Sequence, residues 1–377
     1  MDLFENKIRE YLGPAAHSED TYNYLDRSAR KYAENIRCEL NKWFSNLPEE
    51  EKEKMKRRFT TEYHSAFFEL FLHEFFSRLG FSLTFHPEIN GTTRRPDFLV
   101  ENDKIQFLLE ATVNTDLSNE EEKQEKVKQV FYDEINKIES PNCYLRLVKV
   151  FIPKGVQPSG RKVRNFLENK LKEINIVELE NKLMGNSIDE LPTWKYKDEA
   201  GVLVEVQPFP KSEQARGKEG RPIGIYPIEG EWDKTKSPLY NSLVKKAKRY
   251  GNPNLPYIIA VNSLGDFGTD LFEIMEALFG TVKYHVTTDG IQGINRAGDG
   301  LFHGPDGPQY TRVSGVIVST VTSNNLANAS LDLFHNPWAK NLICTNQFSF
   351  FQYKANKDVI EKIPGLSVID VLGLPKN

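Results

Sequence analysis

Apolar residues recur with a helical period in the first part of the chain and with a strand period after it. Residues 1–58 are charged and have a helical pattern, with Trp43 and Phe44 as the expected anchors to a larger core. A strong helix is predicted over 59–80, because Gly80 follows the pattern as a stop signal. The apolar face of this helix consists of Phe68, Leu72, Phe75, Phe76 and Leu79.

Short β-type segments follow that helix. The predicted segments are strands at 81–85, 95–101 and 105–113, a helix at 119–139 and a strand at 144–152. The second and third strands form a hairpin with Asn102-Asp103 as its two-residue turn. The order helix, three strands, helix, strand predicts an α/β fold, with a mixed β-sheet flanked by helices.

The rest of the chain alternates again, and its pattern places no clean boundary. The predicted segments are a helix at 158–183, a strand at 202–206, a lid-like loop at 207–236, a helix at 237–250, a strand at 257–261, a helix at 269–279, a glycine-rich loop at 289–308, and strands near 313–321 and 342–353. The chain is divided into an N-terminal helical extension (1–58), a core (59–155), a helix and lid-like insertion (156–236) and a C-terminal α/β part (237–377). The glycine-rich loop lacks the Lys-Ser/Thr ending of a P-loop, which disfavours nucleotide binding.

Composition is that of an ordinary globular protein. The 377 residues are 39% hydrophobic and 27% charged, enough for one large domain or two smaller ones. No apolar run is long enough to span a bilayer, and the first residues are polar and acidic, unlike a signal peptide. Cys38, Cys143 and Cys344 are too scattered for a disulfide framework or a zinc site. We therefore expect a cytoplasmic protein without a membrane partner.

Charge is distributed unevenly along the chain. The formal net charge of −4 argues against nucleic-acid binding over the whole surface. The stretch 234–249, however, contains no acid and six basic residues: Lys234, Lys236, Lys245, Lys246, Lys248 and Arg249. This basic helix either contacts phosphate, which we prefer, or is an ordinary amphipathic element. Arg216 and Arg221 in the predicted lid either bind phosphate or only keep the loop solvated.

Two acids occupy unusual positions in the predicted hairpin. Asp97 leads one strand, and Glu110 lies within an apolar strand, where burial is costly unless a cation or hydrogen-bond donors satisfy it. A two-residue turn puts Asp97 opposite Leu108 and Glu110 opposite Arg95, so that the acids share one face. A loop one residue longer would separate them. Two neighbouring carboxylates suit a hard divalent ion, Mg²⁺ or Mn²⁺, which can orient water and neutralise charge on a phosphate.

These residues resemble the PD-(D/E)XK, or restriction-endonuclease-like, nuclease superfamily over roughly residues 59–150. The motifs that carry the resemblance are Glu69 within 67–70, His86-Pro87, Arg95-Pro96-Asp97 and Glu110-Ala111-Thr112. The resemblance implies that Asp97 and Glu110 bind the metal and that Glu69 is an auxiliary acid. It also implies hydrolysis of phosphodiester bonds, which we expect to be those of DNA, in restriction, repair or phage defence.

The chain departs from that family where its motif has a lysine. Thr112 stands in that position, and threonine can form hydrogen bonds but carries no charge. Lys123 and Lys246 are candidate replacements, and Lys246 is preferred because it borders the predicted buried face of its helix. The spacing of Lys246 and Tyr250 is similar to the Gln-x-x-x-Tyr helix of the superfamily's exonuclease branch, with lysine in place of glutamine.

Structural roles remain open for each of these residues. Asp97 is able to cap a turn after Pro96, Glu110 to form an ion pair with Arg95, and Glu69 to face water like most helix acids. The missing lysine also leaves open a catalytically inactive module that binds nucleic acid or a protein partner. A homodimer is left open as well.

Overall fold

The computed structural model describes most of the chain: residues 1–89, 92–115, 119–185, 191–218, 221–225, 238–251, 253–264, 270–287, 290–356 and 359–374. The chain forms two compact units. The first consists of Met1–Gly13, Asp20–Leu117 and Lys234–Asn377, and the second of Pro14–Glu19 and Ser118–Asp233. The second unit is therefore an insertion in the sequence of the first. Among the described residues, no helix combines the length and apolar character needed to cross a bilayer.

The first unit begins with four helices and three strands. These are α1 (Thr21–Arg27), α2 (Lys31–Ser45), α3 (Glu49–Thr61), α4 (Tyr63–Arg78), β1 (Ser82–Phe85), β2 (Phe98–Glu101) and β3 (Gln106–Asn114). The helix predicted over 59–80 is interrupted at Glu62, whose φ of −140° and ψ of 50° end α3 before α4 begins. Apolar periodicity continues through this break, so the pattern did not reveal it.

The second unit has its own sheet and core. Its elements are α5 (Asn119–Ile135), β4 (Cys143–Phe151), α6 (Gly160–Lys172), α7 (Ile176–Gly185), β5 (Trp194–Lys197), β6 (Leu203–Pro210) and β7 (Ile223–Ile225). The strand order is β5-β6-β4-β7. The strand predicted at 144–152, within the segment 59–155, is β4, which pairs antiparallel with β6. Two parts of the predicted lid contribute to this sheet, 207–210 in β6 and 223–225 in β7, and residues 219–220 and 226–237 lie outside the described residues.

The remainder of the first unit completes a large sheet. Its elements are α8 (Pro238–Ala247), β8 (Tyr257–Ser263), α9 (Leu271–Phe279), β9 (Val282–Thr287), β10 (Gly290–Arg296), β11 (His303–Gly304), β12 (Gly307–Pro308), β13 (Val313–Ser319), β14 (Leu331–His335), β15 (Gln352–Asn356), β16 (Val359–Ile363) and α10 (Val368–Leu372). The order of the eight-stranded sheet is β1-β2-β3-β8-β13-β14-β15-β16. It is mixed, since β8 runs parallel to both β3 and β13 while β1, β2 and β3 alternate in direction. The expected α/β class with a mixed sheet flanked by helices is confirmed.

The two faces of the large sheet bury different helices. Side chains of α2, α3, α4 and α10 form one apolar core with Leu109 and Ala111 of β3. Side chains of α8 and α9 form another with Leu108 of the same strand. Because side chains alternate along a strand, Glu110 points to the face covered by α8. This places a buried acid between the sheet and the basic helix.

Candidate active site

The hairpin that carries the two acids turns differently from the prediction. Its loop has four residues, 102–105, and not two. The Asn102 side-chain oxygen accepts hydrogen bonds from the N–H groups of Lys104, at 2.9 Å, and Ile105, at 3.1 Å. The predicted register was therefore wrong, because a local side-chain bond of this kind stabilises the longer loop.

The corrected register keeps the acids on one face. The observed pairs include Phe98 with Leu109 and Leu99 with Leu108. The shift relative to the predicted pairing is two residues, and side-chain direction repeats every two residues. Continuing the pairing by one position sets Asp97, just before β2, directly across from Glu110. The Asp97 Oδ2 atom accepts a hydrogen bond of 2.7 Å from the backbone N–H of Ala111.

Glu110 is completely buried, with 0% of its surface exposed, and it is bonded to three side chains. Lys246 Nζ lies 2.6 Å from Glu110 Oε1 and also donates to the carbonyl oxygen of Ala111, at 2.9 Å. An Arg249 guanidinium nitrogen contacts the same Oε1 atom, and the Tyr250 hydroxyl contacts Oε2. These donors satisfy a charge that the apolar strand alone could not hold.

Arg95 does not provide the alternative ion pair considered from the sequence. Its guanidinium lies 2.5 Å from the carboxylate of Glu88. The Arg95 carbonyl oxygen instead accepts a 2.9 Å hydrogen bond from Tyr250. Arg95 therefore anchors the site through its backbone.

The position of Lys246 follows from the packing of α8. Leu239, Leu243 and Ala247 are fully buried on the side of α8 that faces the sheet. Lys246 borders this side, as the helical period predicted. Its carbonyl oxygen accepts a 3.1 Å hydrogen bond from the hydroxyl of buried Tyr257 in β8, which fixes the end of the helix.

Burial and charge at the site change the acid–base properties of Asp97. Burial, together with the nearby carboxylates of Glu110 and Glu69, raises the pKa of Asp97 to about 7. The Ala111 N–H and the Lys246 ammonium oppose the rise. Asp97 is thus a carboxylate whose negative charge the metal-free protein disfavours.

Glu69 is paired and does not face water. It lies on α4, is 6% exposed, and receives two hydrogen bonds from Arg58, one of them 2.7 Å from Arg58 Nη2 to Glu69 Oε1. This bond raises the pKa of the Arg58 guanidinium. Since Glu69 also acts electrostatically on Asp97, it belongs to the surroundings of the acid pair, with its own charge balanced by Arg58.

The two candidate replacement lysines belong to different units. Lys123 is exposed on α5 in the second unit, whereas Lys246 contacts Glu110 directly. Thr112 lies two residues beyond Glu110 on the same strand, is half-buried, and points to the same face. The structure therefore brings together Asp97, Glu110 and Lys246.

The residues predicted to contact nucleic acid belong to both units. Lys245 and Lys248 are exposed at the end of α8, next to Arg249. In the second unit, Arg216 pairs with the Glu180 carboxylate, and Arg221 is half-buried. The other two basic residues of the predicted run, Lys234 and Lys236, lie outside the described residues.

Two residues that contact the site, Tyr250 and Arg94, were not among the site residues predicted from the sequence. Tyr250 joins Glu110 to the Arg95 carbonyl, and its spacing of four residues from Lys246 was the available signal. Arg94 is exposed and donates a 3.5 Å hydrogen bond to the Arg249 carbonyl oxygen. Its position two residues before Pro96 could have indicated a role near the site.

The donor set fits a divalent cation in its chemistry. Asp97 and Glu110 supply carboxylate oxygens, and their mutual repulsion is what a bound cation would relieve. In the described part of the chain no group of three or more His, Cys, Asp or Glu side chains is arranged to hold a metal. A hard ion held by two carboxylates would complete its coordination with water and substrate oxygens.

Comparison of this chain with protein-family models, with curated proteins and with solved structures gave no match.

Proposed function

We propose that this protein is a divalent-metal-dependent nuclease of the PD-(D/E)XK type, which hydrolyses phosphodiester bonds of DNA in the cytoplasm. One observation carries the proposal: a lysine from α8 reaches the acid pair of the hairpin. Lys246 Nζ lies 2.6 Å from Glu110, on the face that Asp97 shares. The charge missing at Thr112 is thereby supplied from another element.

The order of elements around the acids supports the same proposal. In the first unit, α4 precedes β1 and the β2–β3 hairpin, and α8 then leads to β8 parallel to β3. The helix–strand–hairpin–helix order expected from the sequence ended with the helix at 119–139, which is α5 of the second unit. In the first unit, the helix that follows the hairpin is α8, which packs on the sheet against Leu108 of β3.

Each residue at the site has a distinct chemical role in this proposal. Mg²⁺ or Mn²⁺, held by Asp97 and Glu110, would activate water and neutralise charge on the scissile phosphate. Lys246 places a fixed ammonium group beside the metal ligands, where it stabilises the developing negative charge. Thr112 is able to hydrogen-bond the water, and Glu69 keeps Arg58 next to the acids.

The exposed basic residues at the C-terminal end of α8 would contact the DNA backbone. Lys245, Lys248 and Arg249 follow one another within five residues and are all exposed. Contacts with phosphates give affinity and register without reading base sequence. Restriction, repair and phage defence are all compatible with such a site. A homodimer would present two sites to one duplex.

A catalytically inactive binding module is the second candidate. It is favoured by the saturation of Glu110, whose two oxygens accept from Lys246, Arg249 and Tyr250. A carboxylate neutralised in this way is also a stable structural element that needs no metal. In that case the basic end of α8 would bind nucleic acid or an acidic partner without turnover.

Cleavage of DNA distinguishes the two candidates. Supercoiled, linear and single-stranded DNA are incubated with the protein in Mg²⁺, Mn²⁺ or EDTA. The wild type is compared with Asp97→Ala, Glu110→Ala and Lys246→Met. Lys104→Met is the matched control, since it removes an exposed lysine charge in the hairpin loop that has no role in the proposed site.

We expect metal-dependent cleavage by the wild type and by Lys104→Met, with a loss of at least about a hundredfold in the other three variants. Binding without cleavage in every metal, equal in the wild type and the acid variants, would support the inactive module. Cleavage by Lys246→Met at the wild-type rate would exclude Lys246 as the replacement lysine.

A further inference from the structure

The Glu110 carboxylate is shared by two cations that are held very differently. Lys246 is 20% exposed at its side chain and makes a second bond to the Ala111 carbonyl. Arg249 is 42% exposed at its side chain and lies beyond the last residue of α8. Both contact the same oxygen, Oε1. Lys246 is therefore fixed, and Arg249 is the partner that can leave.

A guanidinium on that oxygen competes with a metal ion. It occupies a lone pair that a divalent cation needs and adds positive charge at the binding position. In the structure Arg249 thus takes part of the place that a metal would take. For a metal to be bound fully by Glu110, the guanidinium has to move.

The surroundings of Arg249 indicate where it would move. Its side chain is partly exposed, exposed Lys248 precedes it in the chain, and exposed Arg94 donates to its backbone carbonyl oxygen, so basic residues surround this position. Guanidinium groups bind phosphate oxygens through paired hydrogen bonds, and exposed ones exchange partners at low cost. A phosphodiester of the substrate is a stronger competitor for Arg249 than water is.

We infer that Arg249 is a switch between two anions: it pairs with Glu110 in the absence of ligand and with a substrate phosphate when metal and DNA are bound. This inference rests on the proposed function. Its consequence is a positive coupling, since DNA that withdraws Arg249 frees Glu110 for metal, and metal that displaces Arg249 frees it for DNA. Such coupling is reciprocal by thermodynamic necessity.

The test is the Mn²⁺ affinity of the DNA-free protein, measured by the loss of the free Mn²⁺ electron paramagnetic resonance signal. The wild type is compared with Arg249→Gln, which keeps most of the length of the side chain and removes its charge. Lys248→Gln is the matched control, because Lys248 is exposed and is not bonded to Glu110 among the described contacts. The Mn²⁺ binding that is lost in Glu110→Gln is assigned to this site.

We expect Arg249→Gln to bind Mn²⁺ about tenfold more tightly than the wild type, and Lys248→Gln to bind it like the wild type. If Arg249→Gln binds Mn²⁺ no more tightly than the wild type while Glu110→Gln does not bind it, the role of Arg249 as a switch is refuted. The proposal of a metal site at Glu110 would still hold in that case. If neither protein binds Mn²⁺ through Glu110, the proposed function itself fails. Arg249→Lys, which keeps the charge without the planar fork, replaces Arg249→Gln if the latter does not fold, and we expect its affinity to lie between the two.

A second measurement separates the switch from a simple change of surface charge. Duplex DNA with phosphorothioate linkages should raise the Mn²⁺ affinity of the wild type by about the same factor as Arg249→Gln does. The same duplex should have no such effect on Arg249→Gln, after the Mn²⁺ bound by DNA alone is subtracted. An equal effect of DNA on both proteins would contradict the inference.

Discussion

Replacing Asp97 with asparagine should stabilise the metal-free protein, and should do so in a pH-dependent way. Asparagine has nearly the same shape, and its side-chain oxygen can still accept the hydrogen bond from the Ala111 N–H, which is 2.7 Å long in the structure. The change removes only the negative charge that lies against Glu110. Most single substitutions of half-buried polar residues destabilise a protein, so a gain in stability would be distinctive.

The magnitude follows from the raised pKa. Burial, together with Glu110 and Glu69, moves the pKa of Asp97 from its ordinary value of 3.8 to about 7. Between these values the folded protein keeps a proton that the unfolded chain releases, so the free energy of unfolding of the wild type falls as pH rises. The fall is about 1.4 kcal/mol per pH unit and ends when Asp97 ionises in the folded state near pH 7. Asp97→Asn lacks this loss, so its advantage should grow by about 2–3 kcal/mol from pH 5 to pH 8.

Urea unfolding in EDTA, followed by circular dichroism at pH 5 and pH 8, measures this difference. Asp103→Asn, in the exposed hairpin loop, is the control for removal of one negative charge. At pH 8, saturating Mg²⁺ should raise the stability of the wild type and have much less effect on Asp97→Asn. A stability difference that does not change between the two pH values, or an Asp97→Asn protein less stable at pH 8, would refute the reasoning.

Three further outcomes follow from the same structure. Glu110→Gln should lower the free energy of unfolding of the metal-free protein by about 2 kcal/mol in urea, because it leaves Lys246 without its charged partner; a neutral or stabilising effect would contradict the assigned contacts. Lys248→Ala should weaken DNA binding and reduce the slope of log affinity against log salt by about 1, measured by fluorescence anisotropy; an unchanged slope would exclude a phosphate contact. Phe71→Ala should cost about 3–5 kcal/mol in urea unfolding, since Phe71 is fully buried between Phe67 and Phe75; a cost below about 1 kcal/mol would be inconsistent with that packing.

Hydrophobic periodicity predicted the existence of the helix and strands that carry the candidate site. The strand predicted at 105–113 is observed one residue later, as β3, whereas β2 begins three residues after its predicted start at 95 and α4 covers only 63–78 of the helix predicted over 59–80. The break at Glu62 and the four-residue hairpin loop were missed. Each depends on backbone conformation or on a side-chain bond, such as that of Asn102, which hydrophobic periodicity does not encode.

Pairings between distant parts of the chain could not be predicted in this way. The strand β4 follows β3 in the order of strands, yet its antiparallel partner is β6 of the second unit. Similarly, β3 and β8 pair with each other although the second unit separates them in sequence. Sequence separation removes any local signal for such contacts, and only packing decides them.

In the candidate site, the sequence identified the residues but not the contacts between them. Asp97 and Glu110 were identified because acids at the start of a strand and inside an apolar strand are unusual. Lys246 was identified from its position beside the buried face of α8. Its contact with Glu110, and the contacts of Arg249 and Tyr250 with the same carboxylate, depend on how α8 packs on the sheet.

The most direct measurement is the single-turnover rate at which the protein cleaves an end-labelled DNA duplex in Mg²⁺, compared between the wild type and Glu110→Gln. Thermal unfolding first establishes that both proteins are folded. The account predicts cleavage by the wild type that stops in EDTA, and a rate at least about a hundredfold lower for Glu110→Gln. Cleavage at equal rates by both proteins, or none by the wild type in either Mg²⁺ or Mn²⁺, would contradict it.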